Sequence, residues 1–218
     1  KSLIDLKNLK DKNSSIKALA FQLYENNGVL KREQVSEYLK TLGQNERKIL
    51  RELGVKFGRY HVFLYQLIKP EAVYLRTLLW KNFHQKYNNI QPPTFGLNFL
   101  DDKENKNKSF MLLCGFEKFD SLFVRIDILE RLFMLIINSS ESKQNKEIKL
   151  IPEMLNLLGC SKDNFKKLLQ IMGYKIFDKE NETFFKYSPI KRFKKISKQK
   201  VSDENPFKVL KNLNLGKF

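Results

Sequence analysis

The residues of this sequence best suited to chemistry are its cations. Between positions 186 and 200, in KYSPIKRFKKISKQK, seven lysines and arginines occur without one acidic residue, and Tyr187 and Phe193 lie among them. Cations interleaved with rings suit a polyanion that also offers flat faces, since lysine and arginine meet phosphates while rings stack on bases. Lys186, Lys191, Arg192, Phe193, Lys194, Lys195, Lys198 and Lys200 are therefore candidate nucleic-acid contacts. Lys162, Lys166 and Lys167 form a second group near or on the polar side of a predicted helix over 161–172, with Lys175 and Lys179 in the hairpin that follows. The whole chain leans the same way: 41 Lys and Arg against 24 Asp and Glu leave a net charge of +17 over 218 residues. A charge of that size favours polyanionic partners.

Catalysis lacks comparable residues. Without a G-x-x-x-x-G-K-[ST] segment, nucleotide phosphates would find no backbone nest with a lysine beside it. Neither H-E-x-x-H nor Cys-x-x-Cys occurs, and two histidines with Cys114 and Cys160 do not make a conventional zinc set. The segment is expected not to be an enzyme and to hold no metal or cofactor. His61, in a strand, and His84, beside Trp80, read as packing or surface residues, and both cysteines read as small hydrophobes. Two thiols cannot build a disulfide framework, which points to a reducing cytoplasm. The apolar run over 126–137 is interrupted by Asp127, Glu130 and Arg131 and falls short of the roughly 20 residues of a membrane span. No secretory signal is present, so no membrane partner is expected. The chain opens at Lys1 rather than Met, which reads as processing or as a piece of something longer.

The elements that must position these cations follow from periodicity and punctuation. With 42% hydrophobic residues the chain can bury a core, which excludes global disorder. Ser14 and Ser15 precede an i, i+3, i+4 stripe of Ile16, Leu19, Ala20, Leu23 and Tyr24, predicting a helix stopped near Asn27-Gly28. Val35, Tyr38, Leu39 and Leu42 predict a second helix ending at Gly43, and Ile49, Leu50 and Leu53 a third ending at Gly54. Residues 55–57 and 61–64 then read as a hairpin, giving a winged-helix order. Pro70 opens a long helix with an apolar face of Val73, Leu75, Leu78, Leu79 and Phe83.

Residues 91–108, with Pro92-Pro93 and a polar run, read as a linker. Beyond it, 110–114 and 122–124 read as strands around a polar turn at 117–121. A helix from Asp127 follows, with Asp127 and Glu130 spaced as a capping box. Helices opening at Pro152 and Ser161, ended by Gly159 and Gly173, precede a second hairpin over 174–177 and 183–187. The expected fold is mainly α (α+β): two winged-helix-like three-helix units with small hairpins, joined by a long helix and a polar linker. The units span 1–90 and 109–190, the linker 91–108, and a basic tail with a short apolar segment 191–218. The two halves resemble each other around Leu42-Gly43 and Leu158-Gly159, which suggests a fold duplication.

The stretch LGVKFGRYHVFL over 53–64, continuing through Leu67-Ile68-Lys69-Pro70-Glu71-Ala72 to Leu78-Leu79-Trp80, resembles one family. It is similar to the C-terminal accessory region of bacterial superfamily 2 helicases related to the mitochondrial degradosome helicase. Residues 124–132, 152–160 and the closing Asn205-Pro206-Phe207-Lys208-Val209-Leu210 are similar to later segments of that region. The resemblance implies a non-catalytic, nucleic-acid-binding region, RNA favoured over DNA, downstream of motor domains that couple ATP hydrolysis to unwinding. It carries over no ATP site and no catalytic residue. The alternatives are a protein-interaction scaffold and a free-standing winged-helix DNA-binding protein.

The tail supplies a first prediction. Removing residues 191–200 takes out Lys191, Arg192, Lys194, Lys195, Lys198 and Lys200. If these meet the phosphates of a single strand, the slope of log affinity against log salt falls by roughly 4 at about 0.7 per contact. Titrating a short single-stranded RNA at several salt concentrations checks this, and parallel lines for intact and deleted protein would make the tail a solubilising extension only.

Overall fold

In the computed structural model the described residues are 2–9, 14–85, 89–102, 107–141, 147–179 and 182–188. They form a mixed α+β fold with three small antiparallel sheets. Among them no helix is long and apolar enough to cross a membrane.

The first sheet belongs to a unit that runs α1 (Ser2–Lys7), α2 (Ser14–Glu25), β1 (Val29–Lys31), α3 (Ser36–Thr41), α4 (Gln44–Glu52), β2 (Val55–Phe57) and β3 (His61–Leu64), with a 3-10 turn at Arg32–Val35. The second is built by α5 (Pro70–Phe83), β4 (Phe99–Asp101), α6 (Lys108–Leu113), β5 (Phe116–Phe119) and β6 (Leu122–Arg125). The third comes from α7 (Ile126–Glu141), β7 (Ile148–Lys149), α8 (Pro152–Leu158), α9 (Lys162–Ile171), β8 (Tyr174–Lys179) and β9 (Glu182–Tyr187). In each sheet the last strand in sequence lies in the middle, in the orders β1-β3-β2, β4-β6-β5 and β7-β9-β8. The expected pair of units thus becomes three sheets. The first and third share the order helix, strand, helix, helix, strand, strand, and the second has one helix fewer between its strands.

Several expectations change here for local reasons. The span read as a linker over 91–108 contains β4, whose Phe99 and Leu100 pair with Val124 and Phe123 of β6. Residues 110–113, read as strand, are the body of α6. Asn107 starts that helix by accepting the Ser109 and Phe110 N–H groups on its side chain, and a cap of this kind selects helix over strand. Gly115, at φ +85, then turns the chain where an added Cβ would lie 3.1 Å from Ile68. The polar segment read as a turn is mostly β5, and Asp120 at φ 56 makes the turn. On α5 only Val73 and Thr77 are buried, while Tyr74, Leu75, Leu78, Leu79 and Phe83, all but Tyr74 assigned to the expected core face, are exposed.

The middle strands β3 and β6 tie the units together because they are buried on both faces. Alternate residues of a strand point opposite ways. In β6, Leu122 and Val124 join a core with Ile128, Leu129, Phe165 and Phe185, while Phe123 joins Val73, Phe110 and Met111. In β3, Val62 and Leu64 pack with Leu19, Leu23 and Leu50, while Phe63 meets Val29, Ile68 and Ile126. A strand buried on both sides forces its neighbours to dock, and the docking carries His61, on the Phe63 face, into the interior at 2% exposure.

A carboxylate completes that docking. Glu130 of α7 accepts the backbone N–H groups of Tyr60 and His61 on Oε1, at 2.9 and 2.8 Å, and that of Arg59 on Oε2. Its side chain therefore caps the β2–β3 turn rather than the start of its own helix, as the sequence spacing suggested. Asp127 takes the local role, accepting the Ile128 N–H at 3.0 Å.

The turn can come this close because residue 58 is glycine. A Cβ there would lie 2.3 Å from the Glu130 carboxyl carbon. Gly58→Ala is therefore expected to displace Glu130 and cost at least about 1.5–3 kcal/mol, the worth of one hydrogen bond to a charged group. Chemical denaturation of wild type and variant measures it, and equal midpoints would mean that this carboxylate does not hold the turn.

Candidate nucleic-acid interface

The contact residues expected from sequence divide into three sets. Lys191, Arg192, Phe193, Lys194, Lys195, Lys198 and Lys200 lie outside the described residues. Lys162, Lys166 and Lys167 lie on α9, which Ser161 caps by accepting the Asn164 N–H. The opposite face of that helix buries Phe165, Leu168 and Leu169. Lys175, Lys179 and Lys186 lie on the β8–β9 hairpin.

Half of the described candidates are engaged within the protein. Lys166 pairs with Asp178 at 3.3 Å, Lys179 with Glu147 at 2.9 Å, and Lys167 donates to the Ser121 hydroxyl at 2.8 Å. The Thr183 hydroxyl, then Lys166 and Lys162, hold the Asp178 carboxyl below the usual carboxylate range. Lys175 and Lys186 differ. They stand directly opposite each other in the β8–β9 register, both exposed, and no acidic partner faces either among the described residues. Like charges in that relation repel, so this strand pair holds a concentrated positive potential rather than a stabilising contact.

Lys186 also stands at the rim of a cleft of about 1040 Å³ where all three units meet. Lys31, Arg32, Arg59 and Tyr60 enter from the first unit, Lys118 and Phe119 from the second, and Phe133, Tyr174 and Tyr187 from the third. The rings support one another. Tyr60 meets Phe133 edge-on at 5.2 Å, Arg59 lies 5.4 Å over the Phe133 ring, and Tyr60 shares a hydrogen bond with the Tyr174 hydroxyl. Tyr174 is buried and braces Tyr187 at 5.1 Å, leaving Tyr187 58% exposed at the mouth. Burial pushes the Tyr60 and Tyr174 phenols up, so both are neutral donors and acceptors.

Beneath the cleft lies a buried ionic network. His61 Nε2 is 3.0 Å from Glu117 Oε2, its Nδ1 is 3.5 Å from Glu130 Oε1, and Lys31 Nζ is 2.8 Å from Glu117 Oε1. Burial alone would lower the His61 pKa, but hydrogen bonds and charges from Glu117 and Glu130 outweigh it and the net shift is upward. Burial would raise the Glu117 carboxyl, but hydrogen bonds from His61 and Lys31, with their charges, bring it below its ordinary value. Glu117 is thus matched by His61 and Lys31, while Glu33 is a further, exposed acid in the cleft lining.

Sequence reasoning found Lys186 and Tyr187 through their place in the basic run. It missed Lys31, Arg32, Arg59, Tyr60, Lys118 and Tyr174 as a group, because they are distant in sequence and only the docking of the units assembles them. The Arg59-Tyr60 pair, a cation beside a ring in a turn, was the one local signal. Among the described residues no three His, Cys, Asp or Glu side chains converge as a metal site would. No protein-family model, curated protein or solved structure matches the chain.

The network sets a pH dependence. His61 titrates above its ordinary 6.5 when folded, so its contribution to stability is full below pH 6.5 and is lost as pH rises through the raised value. Glu117 titrates below its ordinary 4.5, so its contribution is present above pH 4.5 and is lost as pH falls through the lowered value. Melting temperature should therefore hold between those limits and decline on the alkaline side. His61→Gln should melt lower throughout but lose the alkaline decline, and a parallel profile for the variant would exclude His61 as its source.

Proposed function

We propose that this segment is a non-catalytic nucleic-acid-binding accessory region of an ATP-dependent helicase, with RNA favoured, which holds the strand for motor domains elsewhere in the same protein. Its first and third units are read as winged helices, since both follow the order helix, strand, helix, helix, strand, strand with a β-hairpin at the end. The observation that carries the reading is the Lys175 and Lys186 pair: two exposed, directly opposed cations on the hairpin of the third unit, with no acid facing them among the described residues. A row of phosphates supplies the missing counter-charge. The helicase context rests on the family resemblance of the 53–80 stretch, and the cytoplasm is the compartment that fits it.

A second reading, a protein-interaction module, is favoured by α5. Tyr74, Leu75, Leu78, Leu79 and Phe83 expose 50–84% of their area along that helix. Exposed apolar side chains grouped along one helix mark contact surfaces. Both readings hold at once if the patch meets the motor domains while the hairpin meets the strand.

Salt separates the two. Replacing Lys175 and Lys186 together with glutamine should lower the slope of log affinity against log salt by about 1.4 for a single strand and leave the melting temperature equal or raised. Fluorescence anisotropy with a labelled oligonucleotide measures the slope. Binding that ignores both salt and the double substitution would remove nucleic acid from the function and leave the apolar surface as the site.

A further inference from the structure

The cleft between the three units has a composition that phosphate binding alone does not explain. Phosphates need cations, and the exposed hairpin already offers them. The cleft adds rings: Tyr187 is more than half exposed, yet it is fixed from behind by Tyr174, which is itself held edge-on against Phe185 at 5.6 Å. An exposed ring with another ring packed behind it offers its free face to a further flat group at reduced entropic cost. Cations flank it, with Lys186 preceding it on β9 and Arg59 across the cleft over Phe133. Arg32 is steered by donating to the Gly58 carbonyl at 2.6 Å, and Lys31 is held by Glu117.

Size and shape narrow the ligand. At about 1040 Å³ the cleft lies at the upper end of the roughly 300–1,000 Å³ usual for ligand pockets, and it opens to solvent, so it has room for a segment of polymer. Base faces in a duplex are already stacked on their neighbours and cannot meet protein rings, whereas bases of a single strand can.

We infer that the cleft formed by Arg59, Tyr60, Phe133, Tyr174, Lys186 and Tyr187 is a binding site for unpaired nucleotides, with Tyr187 stacking on a base and Arg59 and Lys186 meeting the flanking phosphates. This rests on the nucleic-acid reading and deepens it: the hairpin cations attract the strand and the cleft selects strands whose bases are free. Selection by stacking is tolerant of sequence, since every base has a face to offer.

The test uses the full chain and three labelled probes carrying equal numbers of phosphates: a short oligouridylate, an abasic oligomer of the same length, and a blunt hairpin duplex. Wild type should bind the oligouridylate most tightly. Tyr187→Leu, which keeps apolar bulk without a ring, should weaken oligouridylate binding by about 5- to 150-fold, the worth of one stacked base, while leaving the abasic oligomer unchanged. Tyr187→Phe should behave as wild type. With unsubstituted protein, an oligonucleotide carrying 5-iodouracil should crosslink on irradiation to the peptide that holds Tyr187, so the assignment does not depend on how a variant folds. Salt-dependent binding with equal affinity for the abasic and base-bearing strands, tighter binding of the duplex, or crosslinks confined to other peptides would each overturn the cleft assignment and leave the nucleic-acid reading standing. Failure of all three probes to bind would overturn both.

Discussion

The cleft where the three units meet depends on one carboxylate meeting three backbone N–H groups. Consecutive N–H groups that converge in a turn form a concavity with a positive partial charge, which usually waits for an anion. In this protein α7 supplies the anion itself, through Glu130, and Gly58 leaves the space for it. Because the turn belongs to the first unit and the helix to the third, the contact fixes the two walls of the cleft relative to each other. Arg59 and Tyr60 are residues of that turn, so their positions over Phe133 follow directly. A buried charge is costly unless its hydrogen-bonding capacity is filled, and three donors on two oxygens go far toward filling it. His61 Nδ1 adds a further positive group nearby when the ring is protonated.

Much of the local fold was legible in the sequence. Gly28, Gly54, Gly159 and Gly173 end elements as expected and have positive φ, Pro70 and Pro152 open helices, and Ser161 caps one. Three short strands were not legible. Val29–Lys31, Phe99–Asp101 and Ile148–Lys149 have two or three residues each, too few for an alternating pattern, and they exist because a middle strand offers unpaired backbone groups beside them. Residues 110–114 failed for another reason: a run apolar on all sides has no period, and the deciding signal was the capping side chain of Asn107 before it. The α5 face was misassigned because apolar residues cover more of that helix than its neighbours can bury.

The candidate site was legible only where charge is dense in sequence. Lys186 and Tyr187 belong to a run that composition exposes, whereas Lys31, Tyr60, Lys118 and Tyr174 are separated by many residues and joined by topology. Charge counting was also blind to partnership. Lys166 and Lys179 looked equivalent to Lys175 and Lys186, yet among the described residues acids from other elements face the first two and not the second two. A net charge measures the potential of the whole molecule, and the distribution of acids decides where that potential reaches solvent.

The unequal units divide the work along physical lines. The second unit has one helix between β4 and β5 where the others have two helices between their first two strands, so less of its sheet is covered by its own chain. The other elements cover it instead: β6 lies between the α5–α6 layer and the α7–α9 layer, with Leu122, Phe123 and Val124 all at 0% exposure. A unit clamped on both faces holds its neighbours at a set spacing and lends the cleft only its edge strand β5, through Lys118 and Phe119. The third unit, with its full complement of helices, buries its sheet from one side and leaves the β8–β9 hairpin extending into solvent with Lys175, Lys186 and Tyr187 on it. The helix missing from the second unit and the hairpin exposed on the third are therefore two sides of one arrangement, in which a rigid centre positions a charged edge beside an aromatic cleft.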